Sequence, residues 1–433
     1  MTAAGVIERI NGIATEDLPK VTHPKEGLLA TSPDQNFGAL FGRDGTISSE
    51  FLMDIYERHP ERVAFLKPVR NTLITLAMFQ GRDVNPWREE EPGKIFHEKR
   101  QEDSYRDDEI AFKKGQEILD RLQARDWPVE GERGKRFMLY DGSVDSTPLF
   151  LGATARYLLL TKSVRLFKYL DPHIRMGFDW VKNYGDTHGD GYIRYQAKNR
   201  HALLNQGWKD SSDSIEDSFG KRPEEPIALV EVQGYLFNAY LRAAELYRQT
   251  GDVEYAKRLY ENAGALKTRF NEDFWIPDEN TFAHALDSKN RQVMEVVSNS
   301  GHLLASGIVD KSKEPLLVGR LMMPDLLTDY GIRTLSSQSP RFSDKEPSAY
   351  HNGAVWPHDN ALISRGMRMR GYSLEAQIIE DRILTAQDIL ATQYGRHDEE
   401  LFIVDRNDNL RPYATSQHPQ GWVVTANLAI TTT

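Results

Sequence analysis

The 433-residue chain contains no cysteine. Disulfide bonds, thiolate zinc sites and a cysteine nucleophile are therefore excluded. The chain also lacks any run near the roughly 18 apolar residues that a membrane span needs. Its N-terminus, MTAAGVIERINGIATEDL, lacks the apolar core of a signal peptide. We therefore expect a soluble cytoplasmic protein without a membrane partner.

An excess of positive charge is absent as well. Lys and Arg number 54 against 64 Asp and Glu, a net charge of −10, which speaks against a nucleic-acid partner. No Walker sequence, GxSxG elbow or GxGxxG is present, which disfavours nucleotide and dinucleotide chemistry. We expect no cofactor. The sequence leaves the oligomeric state open.

Helical periodicity is widespread, whereas few segments alternate as strands do. Residues 63–79, 253–270 and 373–393 each place apolar side chains at i, i+3, i+4 and i+7, as amphipathic helices do. Shorter and more apolar helices alternate with these. Each of the shorter helices follows a loop rich in Gly, Asp, Asn, Pro and aromatics, and six such loops are present: FGRDG (41–45), YDGSVDSTP (140–148), VEVQGY (230–235), SNSGHL (298–303), YHNGAVWPHDN (350–360) and HPQGW (418–422).

This alternation predicts an all-α fold, a two-layer (α/α)6 barrel that forms a single domain over residues 1–433. Eleven helices are predicted after residue 40, so residues 2–11 are expected to supply the twelfth helix and to pack beside the last inner one. The longest connection, residues 81–139, includes the charged stretch EDSYRDDEIAFKKGQEILDRLQARDW. We interpret it as an insertion that forms a surface helix or lid.

The six loops also indicate a ligand. Loops that lead into helix N-termini present backbone N–H groups and a positive dipole end. Lined with carboxylates, amides and indoles, they would form a polar pocket with aromatic walls. Sugar hydroxyls suit the carboxylates and amides, and the apolar face of a sugar suits an indole. A small carbohydrate is the predicted partner.

The stretch NQGWKDSSDSI (205–215) carries two aspartates, Asp210 and Asp213. Beside the indole of Trp208, the protonated form of Asp210 would be favoured by desolvation, as a general acid requires. Alternatively, either aspartate caps a helix that begins at SSDSIED. The sequence allows both, one acid and one cap.

Two further motifs allow more than one interpretation. Arg43 and Asp44 in FGRDG are either a turn with an N-terminal charge or the grip on a terminal sugar. Glu399 and Glu400 in HDEELF resemble a solvated face, but they precede the last inner helix, across the ring from the first.

The loop YHNGAVWPHDN has the densest set of polar and aromatic side chains. It lacks the HExxH spacing of a zinc site, so lining a sugar pocket is favoured over binding a metal, and no metal is expected. Its His351 could equally be a buried structural histidine.

A family resemblance connects these motifs. FGRDGTIS, GKIFHEKR, YDGSVDSTPLFL, NQGWKDSSDSI, EVQGY and YHNGAVWPHDNALI occur in this order. Together they resemble the catalytic barrel of bacterial amylo-α-1,6-glucosidases of the glycogen-debranching type, from about residue 36 to 425. The resemblance implies an inverting α-glycosidase on an (α/α)6 barrel, without metal or cofactor. Related bare-barrel hydrolases act on mannosyl- or glucosylglycerate.

The resemblance also implies roles for individual residues. Asp210 matches the family's general acid, and Glu400 matches its base. Glu399 stands where the family usually has proline, which leaves an ambiguity of one residue, and Glu400 is favoured because Leu401 and Phe402 keep the register. Substrate-lining positions are implied at Arg43, Asp44, Asp145, Trp208, Tyr350, His351, Asn352 and Trp356, with Glu231 and Gln233 as further candidates.

We therefore predict an inverting, exo-acting α-glycoside hydrolase that releases a non-reducing sugar, glucose by resemblance. A barrel with about 35 residues ahead of FGRDG indicates a short α-glucoside or oligosaccharide as substrate in place of glycogen. Two alternatives remain open: a sugar epimerase on the same barrel, which would use histidines as acid and base, and a non-catalytic carbohydrate-binding protein.

Overall fold

A computed structural model describes residues 2–101, 108–132 and 135–432. Within these residues the chain is rich in helix, and six of its helices, each with more than half of its residues buried, contact one another in series. We call these the inner helices: α2 (Gly42–Arg58), α5 (Ser146–Thr161), α7 (Val230–Thr250), α9 (His302–Ser306), α12 (Pro357–Arg370) and α14 (Gly421–Thr431). Six further helices, the outer helices, alternate with them along the chain: α1 (Ala3–Asp17), α3 (Leu66–Met78), α6 (Val164–Trp180), α8 (Val253–Asp273), α10 (Glu314–Leu321) and α13 (Ser373–Tyr394). The other two helices described are α4 (Glu109–Gln123) and the four-residue α11 (Ala349–Asn352).

The inner helices contact one another in chain order. Helix α2 packs on α5, α5 on α7, α7 on α9, α9 on α12 and α12 on α14, and α14 packs on α2. Most outer helices lie against one inner helix: α3 against α2, α6 against α5, α8 against α7 and α13 against α12. Helix α10 contacts the 3-10 turn Ser298–Gly301 that leads into α9. The six motifs predicted as loops all lie at the starts of inner helices, but two of them are largely helical: VEVQGY (230–235) lies within α7, and residues 42–45 of FGRDG lie within α2.

The N-terminal segment forms the expected twelfth partner. Helix α1 packs against α14 and α13, with Ile10 and Ala14 buried. Its start is capped by the Thr2 side chain, which accepts from the Gly5 amide at 3.3 Å. The Asn11 side-chain amide donates to Thr431 Oγ1 at 2.8 Å, so residues far apart in sequence are joined.

The expectation of an all-α chain is wrong in its detail, because fifteen short strands connect the helices within the part of the chain that the structure describes. They are β1 (Thr22–His23), β2 (Gly27–Leu28), β3 (Leu40–Phe41), β4 (Glu98–Gln101), β5 (Val129–Glu132), β6 (Lys135–Tyr140), β7 (Ala228–Leu229), β8 (Trp275–Ile276), β9 (Thr281–Phe282), β10 (Ala285–Leu286), β11 (Gln292–Val293), β12 (Leu327–Thr328), β13 (Gly331–Ile332), β14 (Phe402–Val404) and β15 (Leu410–Pro412). Long buried loops must pair their backbone N–H and C=O groups, and pairs of this length show no period-2 pattern in sequence.

The largest sheet belongs to the insertion. Its antiparallel order β3-β4-β6-β5 joins the strand before α2 to residues 98–140. Helix α4 starts at an Asp108 cap whose carboxylate accepts from the amides of Ile110 and Ala111, both at 3.1 Å. The predicted helix in the insertion is therefore present. Residues 102–107 and 133–134 of the predicted lid lie outside the described residues.

The predicted helix start at SSDSIED is absent. Residues 205–227 contain no helix, and the Ser214 amide instead donates to Ser211 O at 3.1 Å in a tight turn. Ser and Asp side chains favour turns for the same reason that they favour caps, because they hydrogen-bond nearby backbone. The capping interpretation of Asp210 and Asp213 is therefore wrong.

Across the described residues, no helix is both long and apolar enough to cross a membrane.

Candidate active site

A cavity of about 430 Å³ brings together most of the predicted site residues. It is lined by loops that precede α2, α7, α12 and α14, together with residues of β4 and α4. Eight of the twelve residues singled out in the sequence line it: Arg43, Asp44, Trp208, Asp210, Tyr350, His351, Trp356 and Glu400. Since these residues span more than 350 positions in sequence, the fold is what assembles them.

Asp210 is a carboxyl group whose proton is retained to higher pH than usual. It lies in the 205–227 loop, and about a third of its side chain, 32%, remains exposed. Desolvation raises the pKa of Asp210 to about 6. The negative charge of Asp145 adds to this shift, and the positive charge of Arg43 opposes it. The Arg43 NH1 atom lies 3.6 Å from Asp210 Oδ2. Asp210 can therefore hold a proton near neutral pH.

Glu400 is the second carboxyl group of the cavity, and it is nearly buried. Its Oε2 accepts from the Gln417 amide at 3.0 Å. Desolvation raises the pKa of Glu400 to about 8; the Gln417 amide opposes this shift, while the carboxyl groups of Asp44 and Glu399 add to it. Glu400 thus keeps its proton to a higher pH than Asp210 does.

The neighbouring Glu399 points away from the cavity. Its Oε1 lies 2.8 Å from Arg396 NH1, and its amide donates to Gln387 Oε1 at 3.1 Å. Glu399 and Glu400 therefore point in different directions. Glu400 lines the cavity and Glu399 does not.

The two cavity carboxyl groups come from opposite sides of the ring of contacts. The Asp210 loop leads into α7, and Glu400 precedes α14. In the contact order of the inner helices, α7 and α14 are three steps apart in either direction. A molecule bound between Asp210 and Glu400 would therefore meet one carboxyl group on each side.

Arg43 and Asp44 lie in the first turn of α2, where the helix dipole favours an anion. Burial raises the pKa of Asp44 to about 7, against the lowering effect of Arg43. For Arg43, burial lowers the pKa, but the attraction of Asp145 and Asp210 outweighs it, so the guanidinium stays charged. This pair offers a cation and a carboxyl group at the cavity wall.

Aromatic rings form the rest of the wall. Trp208 meets Trp356 edge to face with ring centroids 5.7 Å apart, and Trp356 meets Trp422 in the same way at 6.2 Å. The Trp356 indole N–H donates to Tyr350 O at 2.8 Å. Each of these rings is locked by a neighbour, so the apolar surface offered to a ligand is rigid.

The cavity histidine His351 has an assigned partner on one side. Its Nδ1 lies 2.8 Å from Ser211 Oγ in the loop that carries Asp210. Its Nε2 is buried without a partner among the described residues. Burial lowers the pKa of His351, and also of His97 and His358, well below the usual value. These histidines are therefore neutral. The described residues contain no group of three or more His, Asp or Glu side chains that could hold a metal ion.

Four of the predicted substrate-lining residues lie behind the wall. Asp145 is fully buried against Arg43, with Oδ2 2.6 Å from Arg43 Nε. The Asn352 amide donates to Asp213 Oδ2 at 3.1 Å. The Gln233 side chain hydrogen-bonds to backbone groups: it accepts from the Ile193 amide at 3.0 Å and donates to Leu229 O at 2.9 Å.

Glu231, the fourth of these residues, lies below the NQGW loop. A Cβ atom at Gly207 would lie 2.3 Å from Leu229 Cδ1 and 3.3 Å from Glu231 Oε1, so the glycine is required by close packing. Glu231 is buried, with Oε2 unpartnered among the described residues, and desolvation raises its pKa. Its position supports the loop from below.

The sequence analysis missed other lining residues. His97, Glu98 and Arg100 belong to GKIFHEKR, a motif quoted for the resemblance but given no role. Gln420 and Trp422 belong to the sixth loop. From the insertion come Ile118, Arg121, Leu122 and Trp127, and the i, i+3, i+4 spacing of the first three was the available signal.

Comparison with known proteins adds the family. The family described as "Mannosylglycerate hydrolase MGH1-like glycoside hydrolase domain" matches residues 176–401, more than half of the chain. Among curated protein sequences, none matches the chain.

Solved structures add the fold. A GH63 mannosylglycerate hydrolase from Thermus thermophilus, in complex with Tris and D-glycerate, is 13% identical with a TM-score of 0.63, over 98% of this chain and 99% of that one. The same protein in complex with glucose is 15% identical with a TM-score of 0.62 over the same shares. A protein named "Sialidase" matches 63% of this chain and 24% of its own, at 14% identity and a TM-score of 0.50. At these identities the likeness shows a shared fold.

Proposed function

Because the chain belongs to the mannosylglycerate hydrolase MGH1-like glycoside hydrolase family, we propose that it is an inverting, exo-acting enzyme that releases an α-linked sugar from a small glycoside. The observation that carries this proposal is the pair Asp210 and Glu400, which reach one sugar-sized cavity from opposite sides. Family membership also confirms the resemblance drawn from the motifs, with mannosylglycerate hydrolases as the relatives that the comparisons name.

We assign the acid role to Asp210 and the base role to Glu400. Asp210 would donate its proton to the glycosidic oxygen as the bond to the anomeric carbon breaks. Glu400 would take a proton from a water molecule that attacks the same carbon from the opposite face, which inverts its configuration. Both carboxyl groups titrate near neutral pH, as acid and base groups of an enzyme must.

The remaining wall residues would hold the sugar. Arg43 and Asp44 provide a donor and a carboxyl group for hydroxyls at the base of the cavity, next to the acid. Trp208 and Trp356 offer the rigid apolar faces on which a pyranose ring stacks. Tyr350 and His351 complete this side of the pocket.

The architecture is proposed as a closed (α/α)6 barrel in one catalytic domain. Contacts between α14 and α2 complete the sequence of inner-helix contacts, and α1 provides the sixth outer helix beside α14. Residues 81–139 are proposed as a lid, because Ile118, Arg121, Leu122 and Trp127 line the cavity. A glycoside in the cavity would touch α4 with its leaving group.

The leaving group is proposed to be small and acidic, with glucose as the sugar. The Thermus structures hold D-glycerate in one case and glucose in another. In this chain, the exposed Arg121 lines the cavity and has no ion-pair partner among the described residues. A carboxylate is the natural partner of such a guanidinium.

A substrate panel tests this function. We expect sugar release from an α-glucoside or α-mannoside of glycerate, and a KM that rises on Arg121→Ala by about tenfold, the value of one charge-assisted hydrogen bond. The matched control is the neutral glycerol glycoside, whose KM should not respond to Arg121→Ala. Absence of hydrolysis of every panel member would contradict the function and favour an epimerase or a sugar-binding protein.

A further inference from the structure

Asp145 makes two hydrogen bonds that nothing in a sugar-binding role explains. It lies directly before α5 and is fully buried. Its Oδ2 lies 2.6 Å from Arg43 Nε, and its Oδ1 accepts from Ser143 Oγ at 2.6 Å. Both carboxylate oxygens are therefore occupied by this chain, and neither reaches the cavity.

Arg43 connects Asp145 to the acid. Its NH2 donates to Gly207 O at 2.8 Å, in the loop that carries Asp210, and its NH1 lies 3.6 Å from Asp210 Oδ2. A guanidinium is planar and rigid, so fixing Nε and NH2 also fixes NH1. Arg43 lies in the first turn of α2, where the helix dipole repels a cation. The Asp145 carboxylate opposes this repulsion, and an amide oxygen in its place would still accept from Arg43 Nε.

We propose that Asp145 is a positioning residue with two effects on the acid: its carboxylate oxygen holds Arg43 beside Asp210, and its negative charge offsets part of the positive charge that Arg43 presents there. This inference rests on the proposed role of Asp210. It adds a second carboxylate to the acid's machinery, one that touches neither the substrate nor the acid itself.

The charged and titratable groups around Asp210 determine whether a substitution raises or lowers its pKa. Arg43 and Asp44 face it from α2, Asp145 from the start of α5, Tyr140 from β6, Tyr350 from the loop before α12 and Glu400 from the loop before α14. Asp145 raises the pKa of Asp210 and Arg43 lowers it. Removing the Asp145 charge must therefore lower this pKa, and removing the Arg43 charge must raise it.

The pH profile of kcat/KM reports this pKa in the free enzyme. The active state has Asp210 protonated and Glu400 ionised, whereas the pKa values of about 6 and about 8 lie in the opposite order. The profile is then a bell with flanks near these values, and the low-pH flank belongs to Asp210. A lower pKa of Asp210 moves that flank down and also reduces the fraction of enzyme in the active state.

The decisive variants are Asp145→Asn and Arg43→Gln. Asp145→Asn keeps the size and an acceptor oxygen for Arg43, and should move the low-pH flank down by about one pH unit. The maximum of kcat/KM should fall about tenfold with it, because each pKa unit changes the protonated fraction tenfold. Arg43→Gln should move the same flank up. Loss of structure alone does not give shifts of opposite sign.

Ser143→Ala is the matched control. It removes a neutral hydrogen bond from the same Asp145 carboxylate and keeps its charge, so the flank should stay in place. An unmoved flank in Asp145→Asn, with an unchanged melting temperature, would overturn the proposal. If Asp145→Asn does not fold, the test rests on Arg43→Gln. A low-pH flank that does not move up in Arg43→Gln would overturn the proposal. Failure of the proposed function itself looks different, because wild type would then hydrolyse no substrate of the panel, or Asp210→Asn would hydrolyse the unactivated substrate at the wild-type rate.

Discussion

Asp210→Asn and Glu400→Gln are each expected to lower kcat for an unactivated alkyl α-glycoside by about 10²–10⁴-fold, the usual contribution of one acid or base side chain. Each substitution keeps the size of the side chain and removes the titrating group. Because the groups act on different atoms, the two variants should differ once the leaving group needs no proton.

An α-glycosyl fluoride makes that difference visible, because fluoride departs without help from an acid. Asp210→Asn should then recover a rate within about tenfold of wild type, whereas Glu400→Gln should remain slow, since the attacking water still needs its base. Rescue of Glu400→Gln in place of Asp210→Asn would show that the roles are exchanged. Glu400 has a higher pKa than Asp210, so this outcome has a physical basis.

Glu399→Gln is the matched control for Glu400→Gln. Glu399 is adjacent in sequence, but it is buried against Arg396 and does not line the cavity. The variant Glu399→Gln should therefore keep kcat within about threefold of wild type, a much smaller change than the loss of one acid or base group causes. A loss in Glu399→Gln as large as in Glu400→Gln would contradict the assignment of the base.

Arg156→Ala is expected to cause the largest loss of stability, about 3 kcal/mol. Arg156 of α5 is almost buried and forms ion pairs with three carboxylates of α2: Glu50 Oε2 at 2.7 Å, Asp54 Oδ1 at 2.6 Å and Glu57. Arg365 of α12 joins the same Asp54, with Nε 2.6 Å from Oδ2. Without Arg156, the buried Glu50 and the partly buried Asp54 each lose one cation, and unfolding measured by heat or denaturant should show it.

Arg248→Ala provides the contrast. Its pair with Glu245 Oε1 is just as short, 2.7 Å, but 57% of the arginine side chain and 34% of the glutamate are exposed. Exposed pairs contribute little to stability because water and salt screen them. Equal losses of stability in Arg156→Ala and Arg248→Ala would contradict the view that burial makes the α2–α5 pairs important.

The helices of this fold are readable from sequence because each is long and bordered by distinct loops. The predicted segment 253–270 matches α8 (Val253–Asp273), and 373–393 matches α13 (Ser373–Tyr394) within one residue. The pairing of residues 2–11 with the last inner helix was predicted from the helix count alone. Short strands were not readable, since two-residue pairs arise from backbone groups that need partners and carry no side-chain pattern.

The site shows a similar division. Loop motifs identified cavity residues such as Asp210 and Trp356, because glycines, aromatics and acids cluster around them in sequence. Sequence could not separate a residue that lines the cavity from one that supports it. Asp145 and Glu231 have the same composition signal as Asp44, and only the fold shows that they face Arg43 and Gly207.

The most direct test of the central claim is a proton NMR time course of hydrolysis of an α-glucoside of glycerate, with wild type beside Asp210→Asn. An inverting hydrolase must release β-glucose first, and the α-anomer should appear later by mutarotation. We expect this order for wild type and no product for Asp210→Asn. Initial release of α-glucose would contradict the inverting mechanism, and equal rates for both proteins would contradict the role of Asp210.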